Sequence, residues 1–345
     1  SGLLTESQAA SLTALAHSRR GAREDLNPGD EPFERFRGFN EIFIMVGLVI
    51  LARGWAGVVG WVIFDSQDTW RATAIAYTAI TVGIIWLLGE YFIRRRRMVG
   101  PAILISLMFA GSAGFGLTQQ FSQVFMLAQE DYSSLVTPGL LTVVALMIFW
   151  LRFKVPFVMA LIALGLFATA LIAAATRFGT PESLSDIFVF SAESGFAWIT
   201  LVLGAVTFVV AMIFDGSDPH RVTRRSVQGF WLHLVAAPMI INTVALSILS
   251  NEGPGTYSTM IATMAAFAIV AIVIDRRSFL LAAISYVVTV TITLNPIVDT
   301  PVGAYLSLGL GLFLVFVGAF WARIRALFLR VLPLGGLRQY LPPAH

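Results

Sequence analysis

The sequence predicts an all-α, polytopic transmembrane helix bundle of about ten spans, with a short cytoplasmic amphipathic helix at its N-terminus. Three observations predict it. Of 345 residues, 57% are hydrophobic and only 12% charged, with a mean hydropathy of +0.81. A soluble domain carries about 25% charged residues, so too little polar surface is left here to cover a globule in water. Apolar runs of roughly 20 residues, the length that crosses a bilayer core of about 30 Å, recur along the chain. The basic residues cluster after every second run, as topology determinants do.

The N-terminal segment, residues 1–40, is the sizeable polar part. Thr5-Glu6-Ser7-Gln8 has the spacing of a capping box, and Leu12, Leu15 and Ala16 follow on one face, predicting an amphipathic helix to Ser18. A charged linker, residues 19–30, breaks at Asn27-Pro28-Gly29. Phe33, Phe36 and Phe39 then recur every three residues around Arg35 and Arg37. That spacing suits a helix at headgroup depth or an entry ramp to the first span, and the ramp is the simpler reading. No signal-peptide core occurs in the first forty residues.

Spans are predicted at residues 41–64, 70–93, 99–118, 135–151, 155–175, 194–214, 228–249, 257–274, 278–294 and 302–322, within one membrane domain over 41–322. A basic tail, residues 323–345, follows. Between the third and fourth spans the semi-apolar stretch 121–127 reads as a surface helix or a re-entrant turn. Ten spans divide into two halves, 41–175 and 194–322; five per half would make them inverted in the membrane.

Charge fixes the orientation. The N-terminal arginines, Arg94 to Arg97, Arg152 with Lys154, Arg221, Arg224 and Arg225, Arg276 and Arg277, and the four arginines of the tail all fall on one side. They make up twenty of the 23 basic residues, leaving Arg53, Arg71 and Arg177. The opposite loops carry Asp65, Asp68, Glu130, Asp131, Glu182, Asp186, Glu252 and Asp299. The positive-inside rule therefore puts both termini in the cytoplasm.

Helices pack in lipid through close backbone approach and hydrogen bonds. Gly303, Ser307 and Gly311 on span ten, and Ser258, Ala262 and Ala266 on span eight, form small-residue stripes of the packing type. Pro238 lies inside span seven and predicts a kink or hinge.

Embedded polar residues supply the candidate site. Arg53 falls near the middle of span one, where a charge costs about 2.5–3.5 kcal/mol on insertion scales. It reads either as an anion site or as a snorkelling side chain paired with Asp65 or Asp68, with the second modestly favoured. Gln119, Gln120 and Gln123 cluster at the far end of span three and, with Arg53 and Asn242, make the candidate substrate-binding set. His233 shares span seven with Asn242. The acids nearest its depth are Glu41 and Glu90, both near span ends, and Glu90 has Arg94 one turn on. Backbone or headgroup bonding is therefore the expected fate of His233. Glu193 reads as an interfacial residue.

Chemical motifs are lacking. There is no cysteine and no zinc-protease, phosphate-loop or nucleophile-elbow pattern. His17, His220, His233 and His345 are scattered, so no metal site, cofactor or catalytic residue is predicted. Basic residues do not gather on one face with aromatics, which argues against nucleic acid as a partner. The partners expected are the bilayer and either a protein of a larger membrane complex or a second copy of the chain.

Two stretches carry a resemblance. Gly2-Leu3-Leu4-Thr5-Glu6-Ser7-Gln8-Ala9-Ala10 precedes the linker, and Gly116-Leu117-Thr118-Gln119-Gln120-Phe121 is followed by Asp131 and by Trp150-Leu151-Arg152. Over about the first 150 residues the chain resembles an uncharacterised bacterial family of predicted multispan membrane proteins, a domain of unknown function. It departs from that pattern in its doubled glutamine, in the spacing to the acid, and in Arg53-Gly54-Trp55 where relatives show Ala-Asn-Trp. The resemblance implies the bacterial inner membrane and supplies no activity. A permease-like protein with a cavity for a small polar or anionic solute is the slightly favoured expectation. A non-catalytic accessory or scaffold subunit is the alternative.

Overall fold

The computed structural model describes residues 39–66, 69–123, 125–129, 131–191, 195–219, 221, 223, 224–251, 253, 255–276, 301–332, 335 and 341. All regular structure among them is helical. The principal helices are α1 (Phe39–Asp65), α2 (Trp70–Gly89), α3 (Val99–Phe121), α4 (Val136–Phe153), α5 (Val158–Phe178), α6 (Phe196–Gly216), α7 (Arg224–Leu249), α8 (Thr256–Val273) and α9 (Pro301–Val331). α2 runs on into a π-helical turn, Glu90–Arg95.

Seven of these stretches, from Glu41–Asp65 to Arg224–Leu249, are long and apolar enough to cross a membrane. They coincide in order with the first seven predicted spans. Helices also cover the eighth and tenth predicted positions. The ninth, 278–294, lies outside the described residues, as do the N-terminal helix and its linker. The semi-apolar stretch after α3 folds as a short helical turn, Met126–Gln129.

Boundaries moved where turn chemistry outweighs hydropathy. α5 begins at Val158, not 155, because Lys154 closes α4 in the left-handed conformation (φ 52°) and Pro156 follows. α7 begins earlier than predicted, at Arg224, because Thr223 caps it: the Thr223 hydroxyl accepts from the backbone N–H of Arg225 at 3.1 Å. The irregular backbone in the C-terminal region falls at Phe320 of α9 (φ −105°, ψ 15°), whereas Pro238 sits inside a continuous α7.

Two cores result. The first joins α1 to α5 around Phe149, which packs on Phe109 and Phe153 with ring centroids 4.5 Å away in each case. Trp86 closes the cluster against Phe153 at 5.1 Å. Such ring pairs contribute about 0.5–1.5 kcal/mol each beyond the area they bury, which matters in lipid, where water drives nothing together. The second core lies between α5, α6 and α7, around Ala160, Ala211, Leu232 and Met239. α5 serves both, through Val158 and Ile162 on one side and Ala160 and Ala163 on the other.

Close approach explains several small residues. A Cβ on Gly116 of α3 would strike the Thr78 side chain of α2, and one on Gly139 would strike Thr169. The Ser258, Ala262 and Ala266 stripe of α8 is instead exposed. Of the span-ten stripe only Gly311 has described surroundings, and a Cβ there would meet nothing within 4 Å.

At the arginine-bearing end of the bundle, Glu90 pairs with Arg94 at 3.2 Å, one turn on as its spacing predicts, and with Arg152 of α4 at 2.7 Å. Lys154 lies over the Trp150 ring at 4.3 Å.

Candidate functional site

The densest buried chemistry forms where α6, α7, the end of α8 and α9 converge. It starts with the turn between α6 and α7. Asp218 accepts from the backbone N–H and the hydroxyl of Thr223, each at 2.8 Å, and this folds α7 back antiparallel along α6. Asp215, in the last turn of α6, then faces Gly229 of α7. A Cβ on Gly229 would collide with the Asp215 carboxylate and come within 3.2 Å of the Ala211 carbonyl. The missing side chain is what lets a carboxylate lie against the neighbouring helix.

His233 lies one turn beyond Gly229 on the same face. Its Nε2 is 2.9 Å from Oδ2 of Asp215, and its ring packs edge-on against Phe208 at 5.4 Å. Arg276, just past α8, reaches the same carboxylate. Its Nε donates to Oδ2 at 2.8 Å and its Nη2 donates to Oδ1, while Nη2 also donates to the Ser226 carbonyl at 2.8 Å. All three side chains are buried: His233 is 0% exposed, Arg276 6% and Asp215 7%. A two-pronged guanidinium–carboxylate contact in such surroundings is strong and geometrically demanding. Loss of one partner would strand a charge away from water.

A second acid sits beside the first. Asp275 pairs with Arg221 at 2.9 Å, accepts from the Trp321 indole at 2.7 Å, and has Arg325 at 3.9 Å. The Arg221 guanidinium also donates to the Asp275 carbonyl at 2.7 Å. Burial, together with the nearby Arg276, holds Arg221 below the usual arginine range. Arg221 and Asp275 both take left-handed backbone conformations (φ 54° and 55°). Non-glycine residues hold that conformation at a cost of about 1–3 kcal/mol. The irregular turn at Phe320 immediately precedes Trp321, the residue of α9 that meets Asp275.

This overturns the expectation for His233, whose partner is a carboxylate. The sequence alone does not pair Asp215 with His233, because Asp215 falls one residue past the predicted end of span six, while His233 lies five residues into span seven. Counted by helical rise, that is a depth difference of about 9 Å. The earlier start of α7 and the close contact at Gly229 remove it. A glycine one turn from a histidine, opposite a helix ending in an acid, is the signal that was there to be read.

The predicted substrate set is dispersed. Arg53 is exposed on α1 and makes no ion pair with Asp65, which lies about 18 Å further along the same helix; Asp68 is outside the described residues. Gln119 is half-buried, and Gln120 and Gln123 are exposed, all at the far end of α3. The Gln123 backbone N–H donates to the Ser134 hydroxyl at 3.2 Å. Asn242 is half-buried on α7. His17, Glu193, His220 and His345 lie outside the described residues.

A partly open cavity of about 410 Å³ lies between α1, α2 and α3. Trp55, Thr78, Thr81, Met108, Ser112 and Phe115 are among the residues that line it. A smaller cavity, about 160 Å³, lies near the arginine-bearing end against Val99, Phe157, Arg224 and Trp231.

The chain matches no family model, and comparison with curated proteins and with solved structures finds nothing significantly similar to it.

Proposed function

We propose that the chain is a permease-like protein of the bacterial inner membrane, with both termini in the cytoplasm, and that Asp215, His233 and Arg276 form a proton-responsive gate at its cytoplasmic end. The observation that carries this reading is the buried contact between an imidazole and a carboxylate inside a helix bundle. Ionisable groups at such positions mark proton relays and solute pathways, and histidine is the side chain whose charge changes near neutral pH. Arg276 makes the arrangement bistable in principle. The carboxylate is shared between imidazole and guanidinium, so a change at Nε2 alters the hold on the segment that follows α8. The solute class is small and polar or anionic.

The accessory-subunit reading is favoured by a different observation. Apart from Arg53, the exposed surface of α1 between Ile42 and Phe64 is apolar, with Phe43, Ile50, Trp61 and Phe64 all exposed, a surface that a partner helix could cover.

Purification in mild detergent, native sizing and reconstitution with a pH-sensitive dye separate the two. Proton movement in vesicles of the purified chain, lost in Asp215→Asn and in His233→Gln, supports the permease. A stoichiometric partner protein with no flux from the purified chain would overturn it.

A further inference from the structure

The smaller of the two cavities is a cleft between two helices, with its mouth where membrane spans begin. Val99, Ala102 and Ile103 of α3 form one wall, and Arg224, Val227 and Trp231 of α7 form the other. Each triplet has helical spacing, so each is one face of its helix. Residues 155–157, between α4 and α5, complete the lining, and Phe157 packs edge-on against Trp231 with ring centroids 4.7 Å apart. Val99 and Arg224 are the first residues of stretches long and apolar enough to cross a membrane. From Arg224 the cleft runs about 10 Å along α7 to Trp231. Val227 is exposed, so the α7 wall continues onto the surface of the bundle.

Charge and apolar surface are divided along this path. Arg224 is the charged residue of the lining and is buried, and the other lining side chains are aliphatic or aromatic. Arg224 is engaged within the protein, but a guanidinium carries five donors, and its planar fork matches phosphate oxygens. The segments that build the cleft all adjoin basic residues. Arg94 to Arg97 precede α3, Arg152 and Lys154 precede residue 155, and Arg225 follows Arg224. Of these, Arg94, Arg95, Arg96, Arg152 and Arg225 are exposed. Glu90 is taken up by Arg94 and Arg152, and Asp218 accepts from Thr223.

A cation at the span end of a cleft and hydrocarbon-lined walls beyond it follow the order in which a membrane lipid presents its phosphate and its chains. We propose that the α3–α7 cleft is a binding site for an anionic phospholipid, with its phosphate at Arg224 and the upper part of one acyl chain between Ile103 and Trp231. The volume, about 160 Å³, is smaller than the roughly 300–1,000 Å³ of sites that enclose a whole small ligand, so the rest of the lipid stays in the bilayer. The surrounding arginines select an anionic headgroup over a zwitterionic one, and a soluble phosphate would leave the apolar walls uncovered. The site is separate from the proposed gate. Gly229 and His233 face the gate, and each is two residues, about 200° around α7, from Val227 and Trp231.

The test is native mass spectrometry of the delipidated full-length chain in detergent, titrated with phosphatidylglycerol or with phosphatidylcholine of identical chains. Preferential retention of phosphatidylglycerol is expected. Arg224→Gln should weaken it about tenfold, and Arg225→Gln, at the exposed neighbour, should weaken it less. Val227→Trp fills the cleft from its exposed wall and should remove binding with Arg224 in place, which keeps the site testable if Arg224→Gln does not fold. Equal retention of the two lipids would overturn the site, as would wild-type binding by Val227→Trp. Displacement of phosphatidylglycerol by inorganic phosphate would also overturn it, because the anion alone would then be the ligand.

Discussion

The Nε2 of His233 and the Oδ2 of Asp215 lie 2.9 Å apart although the residues are eighteen positions apart in sequence and belong to antiparallel helices. Arg276 closes on the same carboxylate from a third segment. One acid thus links three parts of the chain that the Asp218–Thr223 turn and the Arg221–Asp275 pair also bring together, and the consequences can be measured.

Asp215→Asn leaves a buried guanidinium facing a neutral amide. Removing one member of a buried pair costs about 3–5 kcal/mol, so a large fall in thermal stability in detergent is expected. Arg276→Gln should cost a similar amount. The double variant should lose less than the sum, as contacting partners do. Strict additivity in that cycle would show that the two charges do not stabilise each other.

Gly229→Ala is expected to be severe for a substitution of one methyl group, since its Cβ would displace the Asp215 carboxylate. Gly111→Ala is the matched control. Its Cβ meets nothing, and alanine gains about 0.5–1 kcal/mol over glycine in a helix interior. Melting temperatures should therefore move in opposite directions, and a neutral Gly229→Ala would contradict the contact.

Asp186 offers a titration outside the membrane segments. The backbone N–H of Ser183 donates to its Oδ2 at 2.8 Å, the Ser183 hydroxyl adds to the effect, and together they hold the carboxyl below its ordinary value. A depressed carboxyl stabilises its turn above the unfolded-state value, and that stabilisation is lost as pH falls through the depressed one. The carboxyl carbon of Asp186 should titrate below the free range. Ser183→Ala should bring the midpoint only part of the way back, because the larger, backbone contribution remains.

Orientation is open to labelling, because the chain has no native cysteine. Ser133 and Ser217 are both exposed, at opposite ends of the bundle. Ser133→Cys should react with an impermeant maleimide in intact cells, and Ser217→Cys only after permeabilisation. The reverse pattern would invert the protein in the membrane.

The helical architecture was legible because it rests on one-dimensional signals. Apolar runs of bilayer length and the alternation of arginine-rich loops located seven helices to within a few residues, and the Glu90–Arg94 spacing gave a contact directly. Where side-chain capping sets an end, as Thr223 does for α7, hydropathy misplaced it. The buried cluster was not legible, because its members come from three segments and only packing brings Asp215 to the level of His233. The Ser183–Asp186 capping box shows a subtler loss. The same spacing is legible at Thr5, where an apolar face follows it, and carries no signal at Ser183, where it stabilises a turn that starts no long helix.

α5 contributes residues to both cores, and this bears on how the protein is made. The aromatic core needs nothing beyond residue 178, so the first five helices can settle into their packing while the ribosome is still synthesising the rest. α5 then remains at the edge of a finished unit with Ala160 and Ala163 uncovered, a ready template for the α6–α7 hairpin as it leaves the translocon. Asp215 would enter lipid before Arg276 has been translated. The final ionic closure is therefore a late event of biogenesis, and a chain that stalled before it would be caught as an inserted but unsealed intermediate.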